Sequence, residues 1–278
     1  TGEEEIYRAL GMPYIPPELR EDMGEIEAAL ENKLPTLVES RDLQGIFHFH
    51  SRYSDGSDTI LALAEEARRQ GYRYMGISDH SRSAYYARGL KEEDIKRQQE
   101  EIDALNKRWN DFYIFKGIES DILPDGSLDY PDEFLKCFDF VIASVHSHFR
   151  MDKDSMTNRI EKALDNPYTT ILGHPTGRLL LSRDGYELDM ERILKKAAEK
   201  GIVIEINANP HRLDLDWRWC KKAREMGIRL MINPDAHSLS EIANTGFGTA
   251  MARKGWCEKK DIVNCLDVDS MKEFLKRQ

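Results

Sequence analysis

The sequence predicts an α/β fold: a closed or nearly closed (β/α)7 TIM-like barrel of parallel strands. Strand-like and helix-like segments alternate from Leu43 onward, and regular βα alternation implies parallel strands joined by right-handed crossovers. The strands are short and apolar on both faces, as a sheet filled on one side and covered on the other requires. Each also ends in polar residues, and six of the eight histidines fall there. A barrel gathers all its strand ends at one mouth, whereas an open doubly wound sheet would gather ligands only near its switch point.

The elements follow in order. Residues 1–38 read as an appendage or linker: Pro13, Pro16 and Pro17 punctuate them, and Glu18–Asn32 reads as a short acidic helix. The first strand, at 46–50, precedes a helix over Thr59–Gln70, with Ile60, Leu63, Ala64 and Ala67 on one face and Asp58 as N-cap. Strands at 74–79, 113–118, 139–145, 169–173, 202–207 and 228–233 make seven. Helices are expected near Lys91–Trp109, Met156–Leu164, Met190–Lys200 and Trp217–Met226. Lys200-Gly201 and Met226-Gly227 look like glycine C-caps leading into the last two strands.

Composition narrows the function. A chain of 278 residues can bury one large core or two small ones. No apolar run approaches the roughly 20 residues of a membrane span, so no membrane partner is expected. The opening Thr1-Gly2-Glu3-Glu4-Glu5 is no signal peptide, and the missing initiator Met suggests a processed chain or a fragment. Cys137, Cys220, Cys257 and Cys265 form no C-x-x-C pair, which reads as free thiols in a reducing cytoplasm. A net charge of −10 argues against a long grip on nucleic-acid backbone, while leaving room for a local basic pocket.

The chemistry lies at the strand ends. His48 and His50 are two apart on a strand and share a face. Asp55 follows in a turn, and His80, Glu119, His146, His174, Asp235 and His237 each stand just past an apolar run. Singly, each has a bland reading as a turn residue, a cap or a loop histidine. Nine together at one end of one sheet point to metal. Imidazole and carboxylate without thiolate suit zinc, manganese or iron. One ion needs about four protein ligands, so nine imply two or three divalent ions. Carboxylate-bridged ions roughly 3.5–4 Å apart suit phosphoester hydrolysis by a hydroxide formed on them. No G-x-S-x-G elbow offers a serine alternative. Arg82, Arg178 and Arg212 follow strand ends and could clamp phosphate through their planar forks. His148 and His211 read as pocket walls.

Ser78-Asp79-His80-Ser81, Gly117-Ile118-Glu119 with Asp121-Ile122-Leu123-Pro124-Asp125-Gly126, and Ala143-Ser144-Val145-His146-Ser147 carry a family resemblance. So do Gly173-His174-Pro175-Thr176-Gly177-Arg178 and Glu205-Ile206-Asn207-Ala208-Asn209-Pro210. The chain resembles the polymerase and histidinol phosphatase (PHP) superfamily, most closely the C-terminal PHP domain of bacterial family X DNA polymerases. That resemblance implies a distorted seven-stranded barrel with a trinuclear metal site. It implies one ion on His48, His50, Glu119 and Asp235, a second on Glu119, His146 and His174, and a third on Asp55, His80 and His237. The attacking hydroxide would be held by Glu119, Asp235 and His146. It further implies usually manganese-dependent 3′→5′ exonuclease activity on DNA 3′ ends, with abasic-site cleavage or 3′-end cleaning as relatives of that reaction. Residues 1–38 would be the linker and the end of a polymerase thumb, with the polymerase part in the same longer chain, and 39–278 the phosphoesterase domain. Ile46 stands where the family usually has Asp, and Pro234 where threonine is common. A free-standing phosphatase of the histidinol-phosphate type and a catalytically weak scaffold for the polymerase are the alternative readings.

Overall fold

The computed structural model describes residues 2–276. Thr1 of the N-terminal segment and residues 277 and 278 of the barrel segment lie outside them. Seven parallel strands stand in sequence order: β1 (Gly45–Phe49), β2 (Tyr74–Ile77), β3 (Tyr113–Asp121), β4 (Phe140–Ser144), β5 (Ile171–Leu172), β6 (Val203–Asn207) and β7 (Leu230–Asn233). The α-helices are α1 (Glu3–Ala9), α2 (Glu25–Leu30), α3 (Ile60–Arg69), α4 (Glu92–Asn106), α5 (Asp132–Leu135), α6 (Lys153–Leu164), α7 (Met190–Lys200), α8 (Trp217–Glu225), α9 (Thr245–Lys254) and α10 (Val268–Lys276). The expected nearly closed α/β barrel is therefore the observed fold. Gly201 and Gly227 end their helices at φ 74° and 76°, in the left-handed region where glycine is unpenalised.

Two local expectations change. The cap of α3 is Thr59, whose hydroxyl accepts from Ala62 N, while Asp58 instead accepts from Leu239 N. The helix expected over Glu18–Asn32 breaks into a 3-10 turn at Pro17–Leu19 and the short α2, with Gly24 at φ 93° between them.

The lower half of the barrel is an aromatic plug. Phe47, Tyr74, Phe115 and Phe140 point inward, with Phe47 and Phe140 edge-to-face at 4.7 Å. Glycines make the room: a Cβ on Gly117 would stand 2.2 Å from Phe140 Cζ. From α10, Met271 and Leu275 close the floor. Outside, α3 lays Ile60, Leu63, Ala64 and Ala67 against the strands at its 3.6-residue repeat. With the floor filled, only the upper end of the barrel remains for polar side chains.

Residues 2–38 do not hang free. Ile15, Leu19 and Ala29 pack with Trp256, and Glu18 and Glu21 pair with Arg253 and Lys254 at 2.7 and 2.5 Å.

Between β1 and β7 the sheet has no regular ladder, and side chains close the seam. At the top, His50 N donates to Ala236 O and Ala236 N to His48 O. Lower down, the buried Asn264 amide donates to Gly45 O and Ile232 O, and its oxygen accepts from Ile232 N. Phe47 N donates to Asn233 Oδ1. Replacing Asn264 with leucine strands three buried backbone groups, each costing about 1–3 kcal/mol. Asn264→Leu is expected to lower unfolding free energy by about 3 kcal/mol or more, measured by urea denaturation. A wild-type midpoint would show that the seam is held by something else.

Candidate metal centre

The barrel and its bulge aim the donors. Between Ile46 and Phe49 one extra residue on β1 faces β2, and His48 takes φ 63°. Such a bulge re-aims a side chain. Ile46 and Phe49 consequently pack into the outer core, Phe47 into the plug, and His48 and His50 into the mouth. His174 and Asp235 also sit at positive φ, 23° and 51°. Non-glycine residues rarely adopt this backbone, and it concentrates at functional sites.

Glu119, at 1% exposure, is the hub. Its Oε1 lies 2.9 Å from His174 Nε2 and 3.2 Å from both His48 Nε2 and His146 Nε2. Its Oε2 lies 2.9 Å from His80 Nδ1 and 3.6 Å from His50 Nε2. Asp235 Oδ1 stands 3.2 Å from His50 Nε2 and 3.5 Å from His48 Nε2. Asp55 Oδ1 faces His237 Nε2 at 3.4 Å and His80 Nε2 at 3.7 Å. All nine expected ligands thus meet. Their donor atoms form four overlapping clusters: His50, Asp55, His80 and His237; His48, Glu119 and His174; His48, His50 and Asp235; His80, Glu119 and His146.

The donors fit metal better than they fit one another. His50 is fully buried, yet neither ring nitrogen makes a well-aligned hydrogen bond; His48 Nε2, His80 Nδ1, His174 Nδ1 and Glu119 Oε2 also lack one, close as several of these lie to one another. Buried polar atoms without partners are costly, and a divalent ion would satisfy several at once. Burial, with the neighbouring His237 and His80, holds His50 down to about 3, and burial with Arg212 holds His174 to about 4. Both offer free lone pairs at neutral pH. Burial opposes charge on His146 and His237, but Glu119 with Asp121 pushes the first up to about 10, and Asp55 with Asp235 pushes the second to about 9.

A further ring of groups orients the donors. Glu205, on β6, is fully buried; its Oε1 lies 2.6 Å from His48 Nδ1 and accepts from Asn233 Nδ2, while its Oε2 accepts from His174 N and Asn207 Nδ2. Asp121 holds His146 Nδ1 at 2.5 Å, and buried Asp79 accepts from Ser51 N and Ser54 N, fixing the turn before Asp55. None of the three was singled out for a role in the sequence. The readable signal for Glu205 was its place in Val203-Ile204-Glu205-Ile206-Asn207, where period 2 turns Val203, Glu205 and Asn207 inward.

The three arginines separate. Arg212 Nε stands 3.3 Å from Asp235 Oδ2 with its side chain 16% exposed. Arg178 spends its guanidinium on Arg212 O, Leu213 O and Asp216, bracing the loop that carries Arg212. Arg82 binds Asp129 and lies over Tyr130, with nearly half its side chain exposed. His148 and His211 are exposed.

Comparison with known proteins decides the family. The PHP domain matches residues 47–209, and the DNA polymerase beta thumb matches residues 1–21. The chain belongs to the PHP domain family. As a PHP domain it is 43% identical over 275 residues to the DNA polymerase/3'-5' exonuclease PolX of Bacillus subtilis, covering 99% of this chain and 48% of that protein. It is 33% identical over 159 residues to a "probable phosphatase" of Caldanaerobacter subterraneus subsp. tengcongensis, covering 54% of this chain and 56% of that one. The PHP chain thus spans about half the length of these relatives. Its fold is also that of a histidinol phosphate phosphatase from Lactococcus lactis, solved with zinc, L-histidinol and phosphate: TM-score 0.55, 18% identity, covering 76% of this chain and 94% of that one. Among the described residues, no helix is long and apolar enough to cross a membrane.

Two outcomes are expected. At pH 7 the ion-free His146 and His237 carry protons, because both lie above neutrality, and metal requires the neutral ring. Manganese or zinc binding should therefore release protons and weaken as pH falls, read by calorimetry in buffers of different ionisation enthalpy; uptake without release would contradict the site. Glu205→Gln keeps the shape but removes the charge against His48 Nδ1, and should weaken metal binding about 10–100-fold by equilibrium dialysis.

Proposed function

We propose that this PHP domain is a divalent-metal phosphodiesterase acting on DNA 3′ ends, a 3′→5′ exonuclease. In this reading its polymerase portion precedes it in a longer chain, with residues 1–38 as the end of the thumb and its linker and 39–278 as the catalytic domain. The observation that carries it is the run of the 43% match, which passes through the thumb-like start as well as the metal centre. Abasic-site cleavage and 3′-end cleaning use the same phosphodiester chemistry. The four free cysteines suit a cytoplasmic setting.

Three ions are assigned: one to His48, His50, Glu119 and Asp235, one to Glu119, His146 and His174, and one to Asp55, His80 and His237. Manganese is the first choice and zinc the second, with iron also compatible with the donors. When bound, such ions supply Lewis acidity and lower the pKa of a water nucleophile. The chain's own groups do the positioning. Glu119 reaches five imidazoles through two oxygens and fixes the spacing of the whole set. Glu205 and Asp121 keep the His48 and His146 rings turned toward it. In this reading Arg212, beside Asp235, takes the scissile phosphate through its fork, with Arg178 bracing its loop and Arg82 at the rim.

Ile46 was the reason to consider a weak scaffold, and its side chain belongs to the outer core with Phe49. An acid there would lie away from the donors, and Glu205 already orients His48. The small-molecule phosphatase reading draws on phosphatase-named relatives that align with about half of the chain.

With manganese, a 3′-recessed oligonucleotide should be hydrolysed at least tenfold faster, in kcat/KM, than histidinol phosphate. Glu119→Ala should lower both bound metal and turnover. Faster hydrolysis of histidinol phosphate would favour the phosphatase, and full nuclease activity without Glu119 would overturn the metal arrangement.

A further inference from the structure

The loop after β2 carries two tyrosines that the metal chemistry does not use. Tyr85 and Tyr86 are 87% and 70% exposed, on a 3-10 turn that ends in the fully buried Ala87 and is preceded by the fully buried Ala84. The turn is fixed in place: Ser81 N donates to Glu119 O, Leu90 N to His80 O, and Ser83 Oγ to Asp121 Oδ2 at 2.8 Å. Asp121 is the same carboxylate that holds His146, so the turn and the metal centre are indexed to one another. The Tyr86 ring lies 6.2 Å from the His80 ring. Burial of its phenol and the charges of Asp121, Glu119 and Asp55 push its pKa up, while Arg212 opposes them. A largely exposed aromatic ring thus stands beside the charged mouth, with a second exposed tyrosine next to it in sequence.

The loops after β5 and β6 are joined by Leu180 N donating to His211 O, and they carry Arg183, whose guanidinium lies over Phe149, and Arg212. The mouth thus carries an aromatic ring on one loop and Arg212 on another, near enough for its charge to act on the Tyr86 phenol, with His80 beside the ring. A single nucleic-acid strand has the matching asymmetry: flat bases along one edge and phosphates along the other. Folded DNA duplex does not offer its bases to such a face, because they are stacked inside.

We infer that Tyr86, with Tyr85 beside it, is a stacking platform for the terminal bases of a single-stranded 3′ end, seating the last phosphodiester between Arg212 and the metal donors. This rests on the nuclease reading above and names how its substrate is held. Base–aromatic stacking tolerates any sequence, since every base presents a π face, so the platform would select for a frayed end rather than for a sequence.

The test uses an oligonucleotide with 2-aminopurine at its 3′ terminus, whose fluorescence is quenched on stacking. Binding to the wild-type protein should quench it, Tyr86→Phe should keep the quench, and a Tyr85→Ala/Tyr86→Ala double variant should lose most of it. In turnover, the double variant should raise KM for the same strand about tenfold with a smaller change in kcat, and the effect should shrink for a strand whose terminal nucleotide is abasic. Equal quench and equal KM in wild type and double variant would overturn the platform. A wild type that binds and quenches but leaves the strand uncut would support the platform and overturn the nuclease reading alone.

Discussion

One buried carboxylate ties the mouth of this barrel to its seam. Glu205, fully enclosed, meets His48 Nδ1 at 2.6 Å with one oxygen and the His174 backbone at 2.8 Å with the other, and both its oxygens accept from asparagines. Burying that charge is unfavourable unless every lone pair is engaged, and here they are. Because Asn233 also accepts from Phe47 N, the contact that orients a metal donor is continuous with the contact that shuts the β1–β7 seam. Fold closure and site assembly are thus one hydrogen-bonded unit.

Much of the site was legible in the chain. Each donor follows an apolar run, and strand ends of a parallel barrel share one mouth, so His80, Glu119, His146 and His174 could be placed together without knowing any distance. Glu205, Asp121 and Asp79 were harder, because their role depends on which way a strand residue faces and on a partner far along the chain. Ile46 shows the limit most clearly. Strict alternation would put it on the face of His48, but the bulge at His48 sends it to the outer core. A left-handed histidine leaves no mark in the sequence. The same holds for the arginines: three near strand ends look equivalent, and only packing separates Arg212 from Arg178, whose guanidinium is spent on carbonyl oxygens.

The fold read well where local chemistry sets the boundary and less well where it does not. Glycine caps at Gly201 and Gly227, the periodic face of α3 and the helix α7 appear as expected. The acidic stretch after Pro17 breaks, since Gly24 turns left-handed and the apolar residues there answer to Trp256 rather than to a helical face of their own. A segment that looked like a tether is instead docked by Ile15, Leu19 and two ion pairs. Its docking partner lies more than two hundred residues away, and nothing local announces it.

The position of Asn264 has an implication for how the protein is made. His48, the first donor, leaves the ribosome long before residue 264 does, and domains acquire structure as the chain emerges. Until that asparagine arrives, β1 and β7 lack the amide that joins them low in the barrel. Between the synthesis of His48 and that of Asn264, the imidazoles and carboxylates are therefore carried on a chain that lacks this closure. Joining β1 to β7 low in the barrel, beneath the gathered donors, waits on residue 264.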